Sequence, residues 1–551
     1  MSALDRFFES YYRLRPVNAT FTGVHHLDDR LPDWSPDGLA AAAAEMRSLR
    51  ESIGGSAGDP SALRDVRVRD QALAAAFLDV QIAEIEGPHF QRGNPSLAVG
   101  EAAFSVISLI TRPFAPAVQR AEALVWRLDR IPAFLDGARR SMSGGIPDEW
   151  RAKALKECDG AARIFNEGVR RWLALESLAP FDGDRLLSAA ARAGAGLDTF
   201  TQWLTKDAVS AGAERYAAGP DVLDLLIARG HWCATSRQEL AAGARAALDE
   251  SLAVLDRRAR AAAPGGWVEV QERLASTHPT TADYLAAFQR TWDACRARAE
   301  AADLVTWPEA PIRYVPIPPQ TRDAAPFLYY LFYRSPAPFD RLPIHDYVVT
   351  PIEPEMPADE QLRRLRATNN SVITLNHVVH HGAIGHHVQN HYADAGDSEI
   401  GRVAAVDCAS RIGMFLGGTM AEGWACYATD LMDEAGFLTP DEALAQQQTR
   451  ARLAARAVVD IGLHEGSLSF EDAIAVYRDR VGVPARAARA EVCKNSMFPG
   501  TALMYWLGTE GLHQLRRARE RAEGSAFSRK TFHDRVLSFG SIPVPLLERI
   551  W

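Results

Sequence analysis

The sequence predicts a mainly α-helical protein, and three observations point there. Long stretches rich in Ala, Leu, Arg and Glu place apolar residues three and four positions apart, the spacing that lines one face of an α-helix. Proline and glycine punctuate these stretches at Gly144-Gly145-Ile146-Pro147, Ala218-Gly219-Pro220 and Pro264-Gly265-Gly266. Apolar–polar alternation, the mark of a half-buried strand, is thin throughout.

In chain order, the spacing predicts helices over residues 39–53, 70–86, 118–135, 151–175, 184–205 and 237–263. Strand-like signal is confined to residues 312–317 and 347–350, inside a proline-rich region between Trp307 and Pro357. That region reads as a small sheet or extended loops beside the active site. With 551 residues the chain can bury a large core and could hold two to four units. No repeat or low-complexity linker divides it. The simplest organisation is one body, with an N-terminal helical half (1–300) and a C-terminal half (301–551) carrying the chemistry.

Composition narrows the function classes. At 47% hydrophobic and 24% charged residues the chain is globular, and its net charge of −9 argues against a nucleic-acid or anionic-membrane partner. The N-terminal residues show no charged-then-apolar signal segment, and no apolar run approaches the roughly 20 residues that span a bilayer. Cys158, Cys233, Cys295, Cys408, Cys426 and Cys493 lie far apart with no C-x-x-C pair, which reads as buried free thiols in a cytoplasmic protein. Nothing in the sequence fixes an oligomeric state.

The chemistry concentrates in one segment. Six of the fifteen histidines, His377, His380, His381, His386, His387 and His391, fall between residues 376 and 391. Imidazole is the commonest protein ligand for zinc and its neighbours, and ligands must converge on one point. On a straight α-helix five of the six fall within roughly 120° of one another, and His386 falls opposite. Gly382 and Gly385 interrupt the segment, and a kink or wide turn there could bring His386 onto the face of His380. Spacing leaves His386 and His387 as alternative ligands. A polar helix face that merely caps carbonyls or meets water is the bland alternative, favoured for His391.

The other half of a site would be Ala421-Glu422-Gly423-Trp424-Ala425-Cys426-Tyr427. Glu422 sits in an apolar, helix-like stretch, where a charge is costly unless paired or bound to metal. Two histidines and a carboxylate with an open position form a common catalytic zinc sphere; a surface or capping glutamate is the alternative. Serine and cysteine nucleophiles, a P-loop and a dinucleotide fingerprint all lack their motifs, and Cys408 and Cys426 read as small buried residues.

These residues resemble the His-Glu-Ala-x-Pro-Gly-His-x-x-Gln and Glu-Gly-Trp-Ala-x-Tyr motifs of the bacterial DUF885 family. His380 matches the first histidine, Gly385-His386 the Gly-His pair, Gln389 the glutamine, and Glu422, Trp424 and Tyr427 the second motif. The resemblance runs along nearly the whole chain. It includes Pro16, Ala19, Thr20, Gly23, His25, Asp28, Arg30 and Pro32 at the start, then Asn94-Pro95 and residues 127–132. Arg456, Asp460, His464, Pro499-Gly500, Tyr505 and His533 carry it at the end. It implies a large multi-helix, zinc-peptidase-like (gluzincin-like) fold, with His380, His386 and Glu422 as ligands to one divalent transition metal, zinc first, iron or manganese as alternatives. It also implies that Arg456, His464 and Tyr505 bind a substrate carboxylate or stabilise an oxyanion. An Arg456–Asp460 pair, core packing of Tyr505 and helix capping by His464 are their structural alternatives.

The departures fall on the chemistry. The family's glutamate is His381 here, its proline is Ile384, and the glutamine of its Pro-Gly-Gln-Ala is Thr501. In a zinc hydrolase that glutamate carries the proton from water to the leaving nitrogen. Three readings follow: His381 replaces it as proton carrier, His381 joins the metal sphere, or the chain is a catalytically silent binding or scaffold protein. The preferred expectation is a metal-dependent enzyme acting on a small amino-acid-like or peptide-like substrate. Its chemistry, of hydrolase-like or lyase or cyclase type, has diverged from ordinary peptide hydrolysis, as in specialised metabolism.

Overall fold

Every helix expected from the spacing forms in the computed structural model, which describes residues 2–53, 60–176, 178–179, 181–328, 336–340, 344–406 and 411–551. They run Pro36–Ile53, Val66–Glu86, Ala117–Ser141, Asp148–Leu175, Gly183–Lys206 and Arg237–Ala262. Several begin before their apolar periodicity does, because polar caps start them. The Asp65 carboxylate accepts from the Val68 N–H, and Ser236 and Glu239 form a reciprocal capping box. The expected helix over 151–175 is interrupted by a π-turn at Ile164–Gly168. The chain is mainly α-helical. Its two strands among the described residues, Ile312–Pro316 and His345–Val349, pair in parallel with Tyr314 opposite Tyr347, close to the expected positions.

Two large apolar clusters hold the helices together, and each takes residues from both sides of position 300. One joins Phe7, Tyr11 and Phe77 to Trp292, Val378, Trp424 and Leu547. The other joins Val106, Leu128 and Trp150 to Val459, Tyr477 and Leu503. No helix among the described residues is long and apolar enough to cross a membrane. Cys158, Cys233, Cys295, Cys426 and Cys493 are buried and unpaired; Cys408 lies outside the described residues.

Between the N-terminal helices and the helix Ala485–Met497 lies a cleft of about 1210 Å³. A buried arginine behind the cleft lining explains the motif residues at the start of the chain, of which Arg30 and Pro32 reach the cleft itself. The Arg127 guanidinium is fully buried. It donates to the carbonyls of Pro16 (3.3 Å), Arg30 (3.2 Å) and Ser105 (2.8 Å), and to the hydroxyls of Thr20 (2.7 Å) and Ser108 (2.9 Å). Thr20 passes its own proton to Asp28 at 2.6 Å. His25 bridges Asp28 (2.9 Å) and Asp340 (2.6 Å), and these carboxylates raise its imidazole to about 9 against the effect of burial. The opening motif is therefore a clasp around one buried cation rather than a reactive site.

Removing that cation leaves several buried acceptors without a donor, a loss of about 3–5 kcal/mol. Arg127→Met is expected to lower the unfolding free energy measured by urea titration by that much. A loss below about 1 kcal/mol would show that water takes over the hydrogen bonds.

Candidate metal centre

The histidine segment departs from the α-helical ladder in its first half, up to Gly385. Residues Ile373–Gly382 form a π-helix. The ladder then loosens: the Ala383 N–H donates to the Val378 carbonyl and the Gly385 N–H to the Val379 carbonyl, at 2.8 and 2.9 Å. Ala383 and Gly385 leave the helical region, with ψ near −120° at both, and a new helix starts at His386. A β-carbon on Gly385 would overlap the backbone of His380, and one on Gly382 the Tyr314 hydroxyl. Both glycines are sterically required.

A kink of this kind strands backbone carbonyls, and indole and phenol groups satisfy them. The Trp292 N–H donates to the Gly382 carbonyl (2.7 Å) and the Trp424 N–H to the Ile384 carbonyl (2.8 Å). The Tyr314 hydroxyl donates to the His377 carbonyl at 3.3 Å, and Tyr347 shares a 2.7 Å hydrogen bond with His377 Nδ1. The small sheet thus braces the histidine segment through its paired tyrosines.

The result is convergence. One ring nitrogen each from His380, His381 and His386 lies within 4.8 Å of the others. The Glu422 carboxylate, from the helix Gly418–Glu434, faces them: its Oε2 is 3.3 Å from His380 Nε2 and 3.5 Å from His386 Nε2. That oxygen is buried and receives no hydrogen bond. The His381 Nδ1–H donates to the Asn376 carbonyl at 2.7 Å, since a carbonyl can only accept. This fixes the tautomer and makes Nε2 the basic nitrogen, the usual arrangement behind a metal-bound imidazole. The Cys426 thiol lies 3.9 Å from His380 Nδ1.

Burial depresses the imidazoles of His380 and His381, the latter well below its usual range. Burial opposes ionisation of Glu422, yet the facing His386 and His380 outweigh it and hold the carboxyl well below the carboxylate range. The carboxylate thus stays ionised through the positive charge of the imidazoles, and a cation taking the place of their proton would leave them neutral, as metal binding requires. A buried acceptor without a hydrogen bond, facing two of three convergent imidazoles, fits a cation.

A small pocket of about 50 Å³ lies over His386 and Glu422, lined also by Arg456 and Tyr505. Met414, Glu491, Lys494 and Phe498 border both this pocket and the large cleft, so the two are continuous. Arg456 does not pair with Asp460. Its Nε donates to Glu491 at 2.7 Å, and its guanidinium lies over the Tyr505 ring at 4.4 Å. Asp460 instead accepts from the backbone N–H groups of Gly500 and Leu503.

Two expected residues, His464 and His387, lie elsewhere, and His391 sits outside the cluster. His464 is fully buried, accepts from the Ala218 N–H at Nδ1 and donates from Nε2 to the Asn495 carbonyl. Both nitrogens are spent on bracing, so the structure does not bring His464 to the centre as a catalytic group. His387, the possible additional ligand, turns to the Ala310 carbonyl at 2.8 Å because the kink sends His386 inward in its place. His391 is half-buried beside Tyr392. Sequence reasoning missed Glu491, Lys494 and Asn376, and no local motif marks any of them.

The family of bacterial proteins of unknown function termed DUF885 matches residues 16–550, and the chain belongs to it. None of the curated proteins matches the chain in sequence. Among solved structures it is similar to a candidate lipoprotein of unknown function from Shewanella oneidensis (19% identity, TM-score 0.77, covering 100% of this chain and 98% of the other). It is also similar to a candidate lipoprotein from Colwellia psychrerythraea (18% identity, TM-score 0.75, covering 100% and 97%). At such identities the likeness is one of fold.

Two substitutions test how the centre is built. Gly385→Ala should disperse the cluster while leaving overall helicity intact, read as loss of metal uptake with an unchanged circular dichroism spectrum. Trp424→Phe strands the Ile384 carbonyl and should destabilise the protein by about 1–3 kcal/mol. An unchanged unfolding midpoint for Trp424→Phe would show that the indole does not hold the kink.

Proposed function

We propose that this DUF885 member is a metal-dependent enzyme whose centre is built from His380, His381, His386 and Glu422. The observation that carries the reading is the convergence of three imidazoles, His380, His381 and His386, with a buried Glu422 oxygen that lacks a hydrogen bond facing two of them. Three nitrogens and one oxygen suit zinc first, with iron or manganese as alternatives. When bound, such an ion supplies Lewis-acid polarisation of a substrate oxygen. Of the readings open for His381, its Nδ1–H bond to Asn376 favours the ligand over the proton carrier.

Arg456 and Tyr505 line the same pocket and offer a cation and a phenol to a substrate carboxylate or developing oxyanion. Glu491 lies there too, but Arg456 and Arg452 hold it ionised at about 2 against the effect of burial. It is tied to those two arginines and is a poor proton carrier at neutral pH. The centre therefore favours lyase, cyclase or other metal-assisted chemistry over peptide hydrolysis. The substrate class is small and amino-acid-like or peptide-like, and the continuous cleft has room for a molecule of several residues. We place the protein in the cytoplasm because the five described cysteines are all unpaired. The description of the two structural neighbours as candidate lipoproteins, made of those proteins, points the other way.

Metal analysis of tag-free protein after reconstitution with zinc, iron or manganese is expected to give about one ion per chain. Traces alone would favour the alternative, a silent binding or scaffold protein. His381→Ala should weaken metal binding at least about tenfold, by analogy with losses from outer-shell changes. If His381→Glu kept its metal and gained peptidase activity, His381 would stand in for a missing base and the ligand assignment would fail.

A further inference from the structure

The large cleft carries a second polar locus, distinct from the residues it shares with the pocket of the metal centre. Arg15 precedes the helix Pro16–Thr22, and Glu101 sits on the helix Pro95–Ile110. Both side chains line the cleft. Arg15 lies over two aromatic rings, 5.1 Å from the centroid of Tyr11 and 5.6 Å from that of Phe77. Neither its guanidinium nor the Glu101 carboxyl has a hydrogen-bonding or ion-pair partner among the described residues. The two are near enough to feel each other's charge, yet they do not form an ion pair.

Their neighbours are treated differently. On the same wall Glu84 is matched by Arg411 and Gln81, and Glu45 by Arg13 and Ser10. Burial pushes Glu101 up to about 7 despite the pull of Arg127 and Arg15, as expected of a carboxyl lacking donors. An unsatisfied cation and an unsatisfied carboxyl, set apart in one apolar-walled cleft, are the complement of a molecule carrying both an anionic and a cationic group.

We infer that Arg15 and Glu101 form the docking point for the free α-amino-acid end of the substrate, Arg15 receiving its carboxylate and Glu101 its ammonium group. This rests on the amino-acid-like substrate class proposed above. The substrate lies with its zwitterionic end at this wall and its body directed along the cleft past Met414 and Phe498. Selectivity for the free, unblocked end comes from the two charges, and the metal centre contributes none of it.

Calorimetric titration of the full chain tests this, with phenylalanine, N-acetylphenylalanine and phenylalanine amide as probes, on metal-loaded and metal-depleted protein. Phenylalanine is expected to bind, and Arg15→Gln or Glu101→Gln to weaken it at least about tenfold. N-acetylation should weaken binding to the wild type but not to Glu101→Gln, and amidation binding to the wild type but not to Arg15→Gln. Without ligand, Glu101→Gln should keep or raise the unfolding temperature, since it removes an unpartnered buried charge; a clear fall would show that Glu101 serves the fold and would overturn the assignment. No binding of phenylalanine, or equal binding by the variants, would also overturn it. Binding with this pattern in a protein that takes up no metal would sink the metal reading and leave the docking point standing.

Discussion

Between Val378 and Gln389 the backbone cannot be an ordinary helix and still bring His380, His381 and His386 together. An α-helix sets residues 380 and 386 about 120° apart around its axis and about 9 Å apart along it. The π-helical stretch and the break at Ala383–Gly385 undo that separation, and each loosened turn leaves polar backbone to be satisfied in the interior. The rest of the local architecture follows from that demand. Trp292 and Trp424 arrive from two different helices to receive carbonyls, and Tyr314 and Tyr347 arrive from the sheet to hold His377. The Trp of the second motif is thus a support for the first motif, which is why one helix carries both it and Glu422.

The electrostatic consequence is a dry site with an imbalance. Three elements are in tension: imidazoles whose charged form burial disfavours, a carboxylate that only their charge keeps ionised, and a carboxylate oxygen without a hydrogen bond. A cation resolves all three at once. Where a hydrolase places a carboxylate to move protons, this chain places an imidazole whose one proton is committed to the Asn376 carbonyl. The exchange removes a mobile proton from the site and adds a nitrogen donor, which changes the class of reaction it suits.

Much of this was legible in the sequence, and the failures have physical causes. Helix positions followed from apolar spacing, and the strands at 312 and 345 from the loss of that spacing in a proline-rich region. The two glycines signalled the kink, and the kink settles which of His386 and His387 turns inward. An α-helical wheel could not foresee the π-register, because i→i+5 bonding leaves no mark in apolar periodicity. His464 misled because a histidine near a motif looks the same whether its nitrogens face substrate or backbone. The alternative of Arg456 pairing one turn along its own helix fails because its partner Glu491 comes from a helix 35 residues on. Glu491, Lys494 and Asn376 were invisible for a related reason: their roles are set by tertiary approach and by backbone, neither of which is written locally.

The Arg127 clasp has a mechanical side. Its partners include Pro16, the residue after Arg15, and Thr20, one turn further on, with Ser105 and Ser108, one to two turns past Glu101. The separation between those two cleft charges is therefore set by a third, buried charge, and their own attraction cannot close it. The wall acts as a calliper with a locked screw, able to reject by length what it would accept by charge.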